Sequence, residues 1–165
     1  MPQQRQGDMW SVYQEADLFL ITTNATLKQN GALVMGRGIA RQARDRFPGL
    51  DLALGGHIQS VCDGSANALR SGLSEYGLLV SPRWPTAKLG AFQVKTHYRQ
   101  TADLDLIAHS AESLAVWCEA HLQAAVHLNY PGIGNGRLNQ VDVWPLIAQL
   151  PKQVTIWQSP CPAPV

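Results

Sequence analysis

The sequence predicts an α/β fold, a three-layer α/β/α sandwich with helices on both sides of a mostly parallel sheet. Short apolar runs alternate with longer segments in which apolar residues recur every three or four positions. The run Leu18-Phe19-Leu20-Ile21 is apolar on both faces, as expected of a buried parallel strand. Further along, a glycine-rich turn at Gly132–Gly136 joins an expected strand to an expected helix. Strands that alternate with helices are typical of this architecture.

Five strands and four helices are expected in the order that this alternation requires. The strands lie at residues 17–24, 76–80, 90–95, 126–128 and 154–157. The helices lie at residues 38–47 and 51–62, from Asp103 through Leu122, and from the turn at Gly132–Gly136 to about Leu150. Pro48 ends the first helix, and Asn30-Gly31 predicts a turn in the loop before it.

The last two helices have clear amphipathic patterns. Asp103 can cap the longer one, whose buried stripe is expected to contain Ile107, Ala111, Leu114, Cys118 and Leu122. In the final helix the residues expected to point inward are Val143, Leu146, Ile147 and Leu150. Pro145 fits this helix only in its first turn, because a proline there loses no internal hydrogen bond.

The 165 residues suit one domain at residues 1–158, followed by a proline-rich tail at 159–165. With a formal net charge of +1, the protein has too little overall positive charge to attract a polyanion, so any anion must bind at a local site. Three cysteines without metal-ligand spacing indicate a reduced compartment. The polar start is not a signal peptide and no apolar stretch is long enough to span a membrane, so a cytoplasmic location is expected.

Two glycine-rich segments that lead into helices are candidate phosphate-binding loops. The first loop is Val34-Met35-Gly36-Arg37-Gly38-Ile39-Ala40, and the second loop is Gly132-Ile133-Gly134-Asn135-Gly136-Arg137. Glycines let backbone N–H groups approach a phosphate, and a helix N-terminus adds unpaired donors and the positive end of its dipole. Two such loops at strand ends could hold a diphosphate from both sides. The alternative is that the glycines serve packing only, since a short glycine pattern is weak evidence.

Three cationic residues lie in these loops or at a strand end. Lys95 stands at the carboxyl end of an expected strand and could neutralise phosphate, or act as an amine nucleophile if its pKa is lowered. Arg37 and Arg137 could add charge-assisted contacts to an anion. Solvated surface side chains are the alternative for all three. His97 is interpreted as either a structural histidine or a catalytic group.

Taken together, these segments resemble the macrodomain family, particularly its branch of DNA ADP-ribosyl glycohydrolases typified by the DarG antitoxins. The resemblance covers residues 7 to about 150. Gly7-Asp8-Met9 resembles the Gly-Asp-Ile opening of macrodomains, whose aspartate accepts a hydrogen bond from the adenine amino group. Asn24 resembles the asparagine that faces the distal ribose. The implied fold is a macrodomain sandwich with a mixed, mostly parallel sheet.

Three further motifs complete the resemblance. The first loop is similar to Met-Gly-Lys-Gly-Ile-Ala, which wraps the diphosphate and the distal ribose. The segment Phe92-Gln93-Val94-Lys95-Thr96-His97-Tyr98 is similar to Phe-Pro-Thr-Lys-x-His-Trp, whose lysine is catalytic. The second loop, continued by Leu138, resembles Gly-Cys-Gly-Asn-Gly-Gly-Leu. A related branch carries an aspartate where this chain has Gly136, so the acid that resolves a lysyl intermediate there is missing here.

The resemblance implies that the protein binds ADP-ribose and hydrolyses it from a modified substrate, a thymidine base in single-stranded DNA, with Lys95 as the catalytic residue. No metal and no other cofactor are expected. The implied ligand-binding residues are Asp8, Met9, Asn24, Met35, Gly36, Arg37, Gly38, Ile39, Ala40, Gly132, Ile133, Gly134, Asn135, Gly136 and Arg137. Two alternatives remain open: a non-catalytic reader of ADP-ribose or a related nucleotide, and a structural domain whose glycine loops serve packing.

Overall fold

A computed structural model describes residues 1–62, 77–80 and 88–159 of the chain. Its strands are β1 (Gln3–Gln6), β2 (Leu18–Thr23), β3 (Leu78–Val80), β4 (Leu89–Gln93), β5 (Val126–Asn129) and β6 (Val154–Gln158). Its helices are α1 (Gly38–Arg46), α2 (Leu50–Cys62), α3 (Leu104–Ala120) and α4 (Gln140–Ile147), with short 3-10 helices at Met9–Val12 and Gly134–Gly136. Within these ranges no helix is both long and apolar enough to cross a membrane. Residue 76 of a predicted strand and residues 160–165 of the predicted tail lie outside the described part of the chain.

The described strands form one mixed sheet in the order β1-β6-β5-β2-β4-β3. Only the β3–β4 pair among them is antiparallel, and the other four pairs are parallel. The central strand β2 has apolar side chains on both faces. Phe19 and Ile21 belong to the core between the sheet and the α1–α2 layer, whereas Leu18 and Leu20 belong to the core under α3 and α4. The predicted three-layer α/β/α arrangement with a mixed, mostly parallel sheet is confirmed.

The edge strand β1 was not expected from the sequence. Its four residues Gln-Gln-Arg-Gln are all polar, so the sequence shows no alternation of apolar residues that could mark a strand, and all four are exposed in the structure. What forms the strand is its parallel pairing with β6, in which Gln3 lies opposite Thr155 and Gln6 opposite Gln158. This pairing brings the segment after Gln6 to the same edge of the sheet as the ends of the central strands.

Two details of the predicted helices are wrong. Leu122 is 72% exposed and lies beyond the end of α3, because the chain turns at His121, whose N–H bonds to the Cys118 carbonyl at 3.1 Å. The rest of the predicted stripe is buried, and Asp103 caps the helix as predicted, with its carboxylate accepting from the N–H of Asp105 at 2.9 Å.

Pro145 is not in the first turn of the last helix. The helix α4 begins at Gln140, which makes Pro145 its sixth residue of eight. Pro145 has no N–H to donate to the Val141 carbonyl, but Val141 is 81% exposed, so water can bond to that carbonyl instead. The helix continues past the proline, with the N–H of Ala148 bonded to the Trp144 carbonyl at 2.8 Å. Leu150 lies beyond the helix but is fully buried.

The predicted turn at Asn30-Gly31 packs directly against α2. Gly31 has a φ of +86°, and its carbonyl oxygen lies so close to Gly55 that a Cβ on Gly55 would stand 1.9 Å from it. The next residue of the helix, Gly56, has open space around it. Helix α2 therefore packs against the loop before α1 at Gly55 and not at Gly56.

This difference predicts opposite effects of two adjacent alanine substitutions. Gly55→Ala should lower the free energy of unfolding by about 1–3 kcal/mol, because its methyl group would collide with the Gly31 carbonyl. Gly56→Ala should raise it by about 0.5–1 kcal/mol, because alanine is the better helix former. Urea unfolding of both variants and the wild type measures the effects, and equal stability of the two variants would contradict the packing described.

Candidate ligand-binding cleft

The five strands that run parallel end at one edge of the sheet, and the segments after them line an open cleft of about 1440 Å³. Ligands of open α/β sheets bind outside the carboxyl ends of the strands. Fifteen of the sixteen residues predicted to bind or act on a ligand line this cleft. They are Asp8, Met9, Asn24, Gly36, Arg37, Gly38, Ile39, Ala40, Lys95, Gly132, Ile133, Gly134, Asn135, Gly136 and Arg137.

Met35 is the exception among the predicted ligand-binding residues. Its side chain is 1% exposed and packs in the core between the sheet and α1–α2. A residue that enters a helix from a loop often turns an apolar side chain inward while its neighbours face solvent. The Met35 side chain is therefore a core residue, and a contact of its backbone with a ligand stays a prediction.

The two glycine-rich loops meet in the cleft. A Cβ placed on Gly38 of the first loop would lie 3.0 Å from the side-chain Nδ2 of Asn135 in the second loop. Gly38 also has a φ of +59°, which side-chain-bearing residues seldom adopt. The left-handed backbone conformation favours glycine at this position, and the Asn135 side chain would have to shift by a few tenths of an ångström to admit a Cβ.

The first loop delivers the N-terminus of α1 to the cleft. Arg37 is the N-cap residue, with extended backbone angles and no side-chain capping bond. Among the described residues, the N–H of Arg41 is the first of this helix to find an acceptor, the Arg37 carbonyl at 3.2 Å. The N–H groups of Gly38, Ile39 and Ala40 are the unpaired donors of a first helical turn, and they lie on the cleft wall.

Carbonyl groups of the second loop accept hydrogen bonds from N–H groups of the same turn. The carbonyl of Gly132 accepts from Leu138 at 2.9 Å, and that of Gly134 accepts from Arg137 at 3.0 Å. Within the described part of the chain, no acceptor lies opposite the N–H groups of Ile133, Gly134 and Asn135. These donors and those of α1 border the same cleft, so the two loops together can surround an anion with backbone amides.

Gly136 leaves no room for a larger residue. A Cβ on it would stand 2.9 Å from the Cβ of Ala102, whose N–H also donates to the Gly136 carbonyl at 2.9 Å. The aspartate that the related macrodomain branch carries here would therefore require the segment at Ala102 to move. Packing against that segment accounts for the glycine.

Asp8 and Met9 lie at one end of the cleft. A carboxylate oxygen of Asp8 accepts from the Trp10 N–H at 3.0 Å, which caps the 3-10 helix, while the side chain itself is exposed. The Met9 side chain is 4% exposed, so Met9 offers a ligand mainly its backbone. The exposed carboxylate is free to accept a further hydrogen bond.

Asn24 has a structural role as well as a place in the cleft. Its amide nitrogen donates to the Val34 carbonyl and its amide oxygen accepts from the Thr26 N–H, both at 2.9 Å. These bonds tie the start of the long loop between β2 and α1 to its end. One N–H of the amide is left for a ligand.

Lys95 lies between backbone segments that are held on both sides. The N–H of Val94 donates to the Thr23 carbonyl at 2.9 Å, and the Thr96 carbonyl accepts from the Thr26 hydroxyl at 3.1 Å. Burial lowers the pKa of Lys95 below its ordinary value, and the positive charges of Arg137 and Arg37 lower it further. The amine is therefore neutral in a larger fraction of molecules than an exposed lysine would be.

Sequence reasoning missed the aromatic wall beside Asp8. The Trp10 indole N–H donates to the Gln42 amide oxygen at 2.8 Å, and the Arg46 guanidinium lies over the Trp10 ring at 4.5 Å. All three residues line the cleft. The available signal was the four-residue spacing of Gln42 and Arg46, which places them on one face of α1.

A second missed residue, Trp157, reaches the cleft at the end of β6. Its indole N–H donates to Nδ1 of His127 at 2.9 Å, and the Arg5 guanidinium lies over its ring at 5.1 Å. Burial lowers the pKa of His127, which favours the neutral imidazole that can accept this bond. Nothing local in the sequence signals these contacts, because they depend on the pairing of β6 with β5 and with β1.

No protein-family model matches the chain, and no curated protein matches it by sequence. Solved structures do resemble it. The macrodomain of Mycobacterium tuberculosis DarG has a TM-score of 0.66 and 22% identity, over 98% of this chain and 99% of that one. Thermosipho africanus DarTG in complex with ADP-ribose has a TM-score of 0.66 and 17% identity, over 100% of this chain but 43% of that one.

The likeness extends to a more distant structure. The Oceanobacillus iheyensis macrodomain with MES bound has a TM-score of 0.56 and 10% identity, over 97% of this chain and 83% of that one. At such identities a structural likeness establishes the fold. Strand order, layer arrangement and these superpositions agree, and the chain has the macrodomain fold.

Proposed function

We propose that this protein binds ADP-ribose in the cleft and hydrolyses the bond that joins ADP-ribose to a modified substrate. The observation that carries the proposal is the approach of the two glycine-rich loops at Gly38 and Asn135, with Lys95 on the same cleft wall. A diphosphate needs donors on both sides, and the two loops offer them. The solved DarTG structure of the same fold is a complex with ADP-ribose.

The proposed placement follows the order of groups along the cleft. Asp8 accepts from the adenine amino group, and the two loops hold the diphosphate. Asn24 and Lys95 then face the distal ribose. This orientation puts the lysine amine at the anomeric carbon, C1″, which bears the bond to be broken.

The lowered pKa of Lys95 favours an amine nucleophile. In that route a bond forms from Nζ to C1″ while the bond from C1″ to the substrate breaks. The electron pair and a proton go to the leaving group. Water then adds a hydroxyl to C1″ and returns the amine to Lys95, which yields free ADP-ribose and the unmodified substrate. In the alternative route, a protonated Lys95 stabilises the departing group by charge.

The proposed substrate is an ADP-ribosylated thymidine base in single-stranded DNA. It is drawn from the resemblance of the segment at residues 92–98 to the motif of DNA ADP-ribosyl glycohydrolases. A second candidate function is a non-catalytic reader of ADP-ribose. The observation that favours it is the contact of Gly136 with Ala102, which leaves no space for the acid that resolves a lysyl intermediate in another branch.

ADP-ribose should stabilise the protein against thermal unfolding. Because a ligand that binds only the folded state stabilises it by mass action, ADP-ribose at 100 times its dissociation constant adds about 2.7 kcal/mol. Differential scanning fluorimetry with ADP-ribose, and with ribose 5-phosphate as the control ligand, measures the effect. An unchanged melting temperature at millimolar ADP-ribose would leave the glycine loops with a packing role only.

Lys95→Ala should abolish turnover while binding persists. Release of ADP-ribose from an ADP-ribosylated single-stranded oligonucleotide should fall at least about 100-fold, since a positioned acid, base or nucleophile contributes that much. Calorimetry should still detect ADP-ribose binding. Lys152→Ala is the matched control, because Lys152 is exposed and precedes β6 at the opposite edge of the sheet. Equal release by wild type and Lys95→Ala would remove Lys95 from the mechanism, and no release by the wild type would favour the reader.

The pH dependence of the rate distinguishes the two roles of Lys95. If the neutral amine attacks C1″, kcat should rise with pH and level off above the pKa of Lys95, which lies below the ordinary 10.5. If the ammonium acts by its charge, kcat should instead fall as pH rises through the same pKa. A pH–rate profile under saturating substrate gives the answer, and a flat profile would contradict both routes.

A further inference from the structure

The cleft carries more positive charge than a diphosphate requires. Among the described residues that line it, five are cationic and only Asp8 is acidic, although the whole chain has a formal net charge of +1. The cations are Arg37, Arg46, Lys95, Arg99 and Arg137. The diphosphate of ADP-ribose has about two negative charges, and the loops already meet it with backbone donors. The surplus points to a further anion.

Two of these cations are already occupied by aromatic rings. The Arg46 guanidinium lies over Trp10 at 4.5 Å, and that of Arg99 lies over Tyr98 at 5.4 Å. Arg37 and Arg137 have neither an aromatic nor an acidic partner within the described ranges, where both ion pairs involve Asp45. Their guanidinium groups are therefore available to a ligand.

The two free arginines lie near Lys95 in the cleft. Arg37 directly precedes Gly38, and Arg137 follows the short helix that contains Asn135, so the contact between the loops also brings the arginines toward each other. Their charges both lower the pKa of Lys95, as expected of neighbours. In the proposed placement Lys95 faces the distal ribose, so the two arginines lie near that ribose and whatever is attached to it.

Arg137 occupies a backbone conformation that costs free energy. Its φ of +63° and ψ of +13° are left-handed, and no other non-glycine residue in the described part has a positive φ. Such a conformation costs about 1–2 kcal/mol for a residue with a Cβ, whereas glycine adopts it freely. Because strained residues that persist often serve a ligand, the strain indicates a function for the side chain.

We infer that Arg37 and Arg137 bind a third phosphate group, one attached to the substrate beside the distal ribose. A guanidinium presents paired N–H donors that match phosphate oxygens, which suits the two arginines to this group. The inference rests on the proposed binding of ADP-ribose. The phosphate has two possible sources, a monoester on C1″ of ADP-ribose itself or a backbone phosphodiester beside an ADP-ribosylated base. Both present phosphate oxygens beside the distal ribose.

Calorimetry with four ligands tests the inference. They are ADP-ribose, ADP-ribose 1″-phosphate, an ADP-ribosylated thymidine nucleoside and a short single-stranded oligonucleotide that contains the same modified base. In a Lys95→Ala background, which should bind these ligands without turning them over, the protein should bind one phosphate-bearing ligand at least about tenfold more tightly than its partner without that phosphate. Arg37→Ala and Arg137→Gly should reduce this ratio to about one. Arg41→Ala is the matched control, because Arg41 is exposed on α1, pairs with Asp45 at 3.9 Å and lies outside the cleft.

Protein melting provides a second readout. Arg137→Gly should melt at the same temperature as the wild type or above it, since glycine relieves the left-handed strain, so a lost preference would not reflect unfolding. A preference for either phosphate-bearing ligand that disappears in both variants supports the inference and identifies the source. A preference that survives them, or no preference in a protein that binds ADP-ribose, overturns it. Failure to bind ADP-ribose at all would instead overturn the proposed function.

Discussion

The candidate site depends on one contact, the approach of Gly38 to Asn135. It exists because β2 and β5 are neighbours in the sheet, so the loops that follow them emerge side by side. Asn129 at the end of β5 strengthens this junction, since its amide accepts from the Thr22 N–H at 2.9 Å and donates to the Thr22 hydroxyl at 2.7 Å. The joined strand ends hold the two loops side by side, so a ligand that binds between them meets amides from both.

The same contact determines the electrostatics of the cleft. Backbone donors can neutralise a diphosphate without side-chain charge, so the cations near Lys95 are additional to what ADP-ribose needs. Arg37 and Arg137 act on Lys95 by raising the cost of its protonation. An anion bound between the arginines would partly offset this effect. In the proposed function, the same two side chains link substrate recognition to the protonation of Lys95.

The structure identifies residues that hold the walls of the candidate cleft in place. Asn24 secures the long loop before α1, and Gly55 supports that loop from behind through its contact with Gly31. Gly136 packs on Ala102 and keeps the second loop close to the start of α3. Small residues are required at Gly55 and Gly136 by the approach of another backbone segment or Cβ, so larger residues there would move the loops and not merely crowd them.

The sequence alone determined the elements that local patterns encode. The apolar run of β2, the periodic stripe of α3 and the glycines of both loops each act over a few neighbouring residues, so they could be read without a structure. The tertiary structure decided what depends on contacts between distant segments: the polar strand β1, the inward turn of Met35, the position of Trp157 and the convergence of both arginines on Lys95. No local pattern records these features, because each arises from strand order and from packing between parts of the chain that are far apart in sequence.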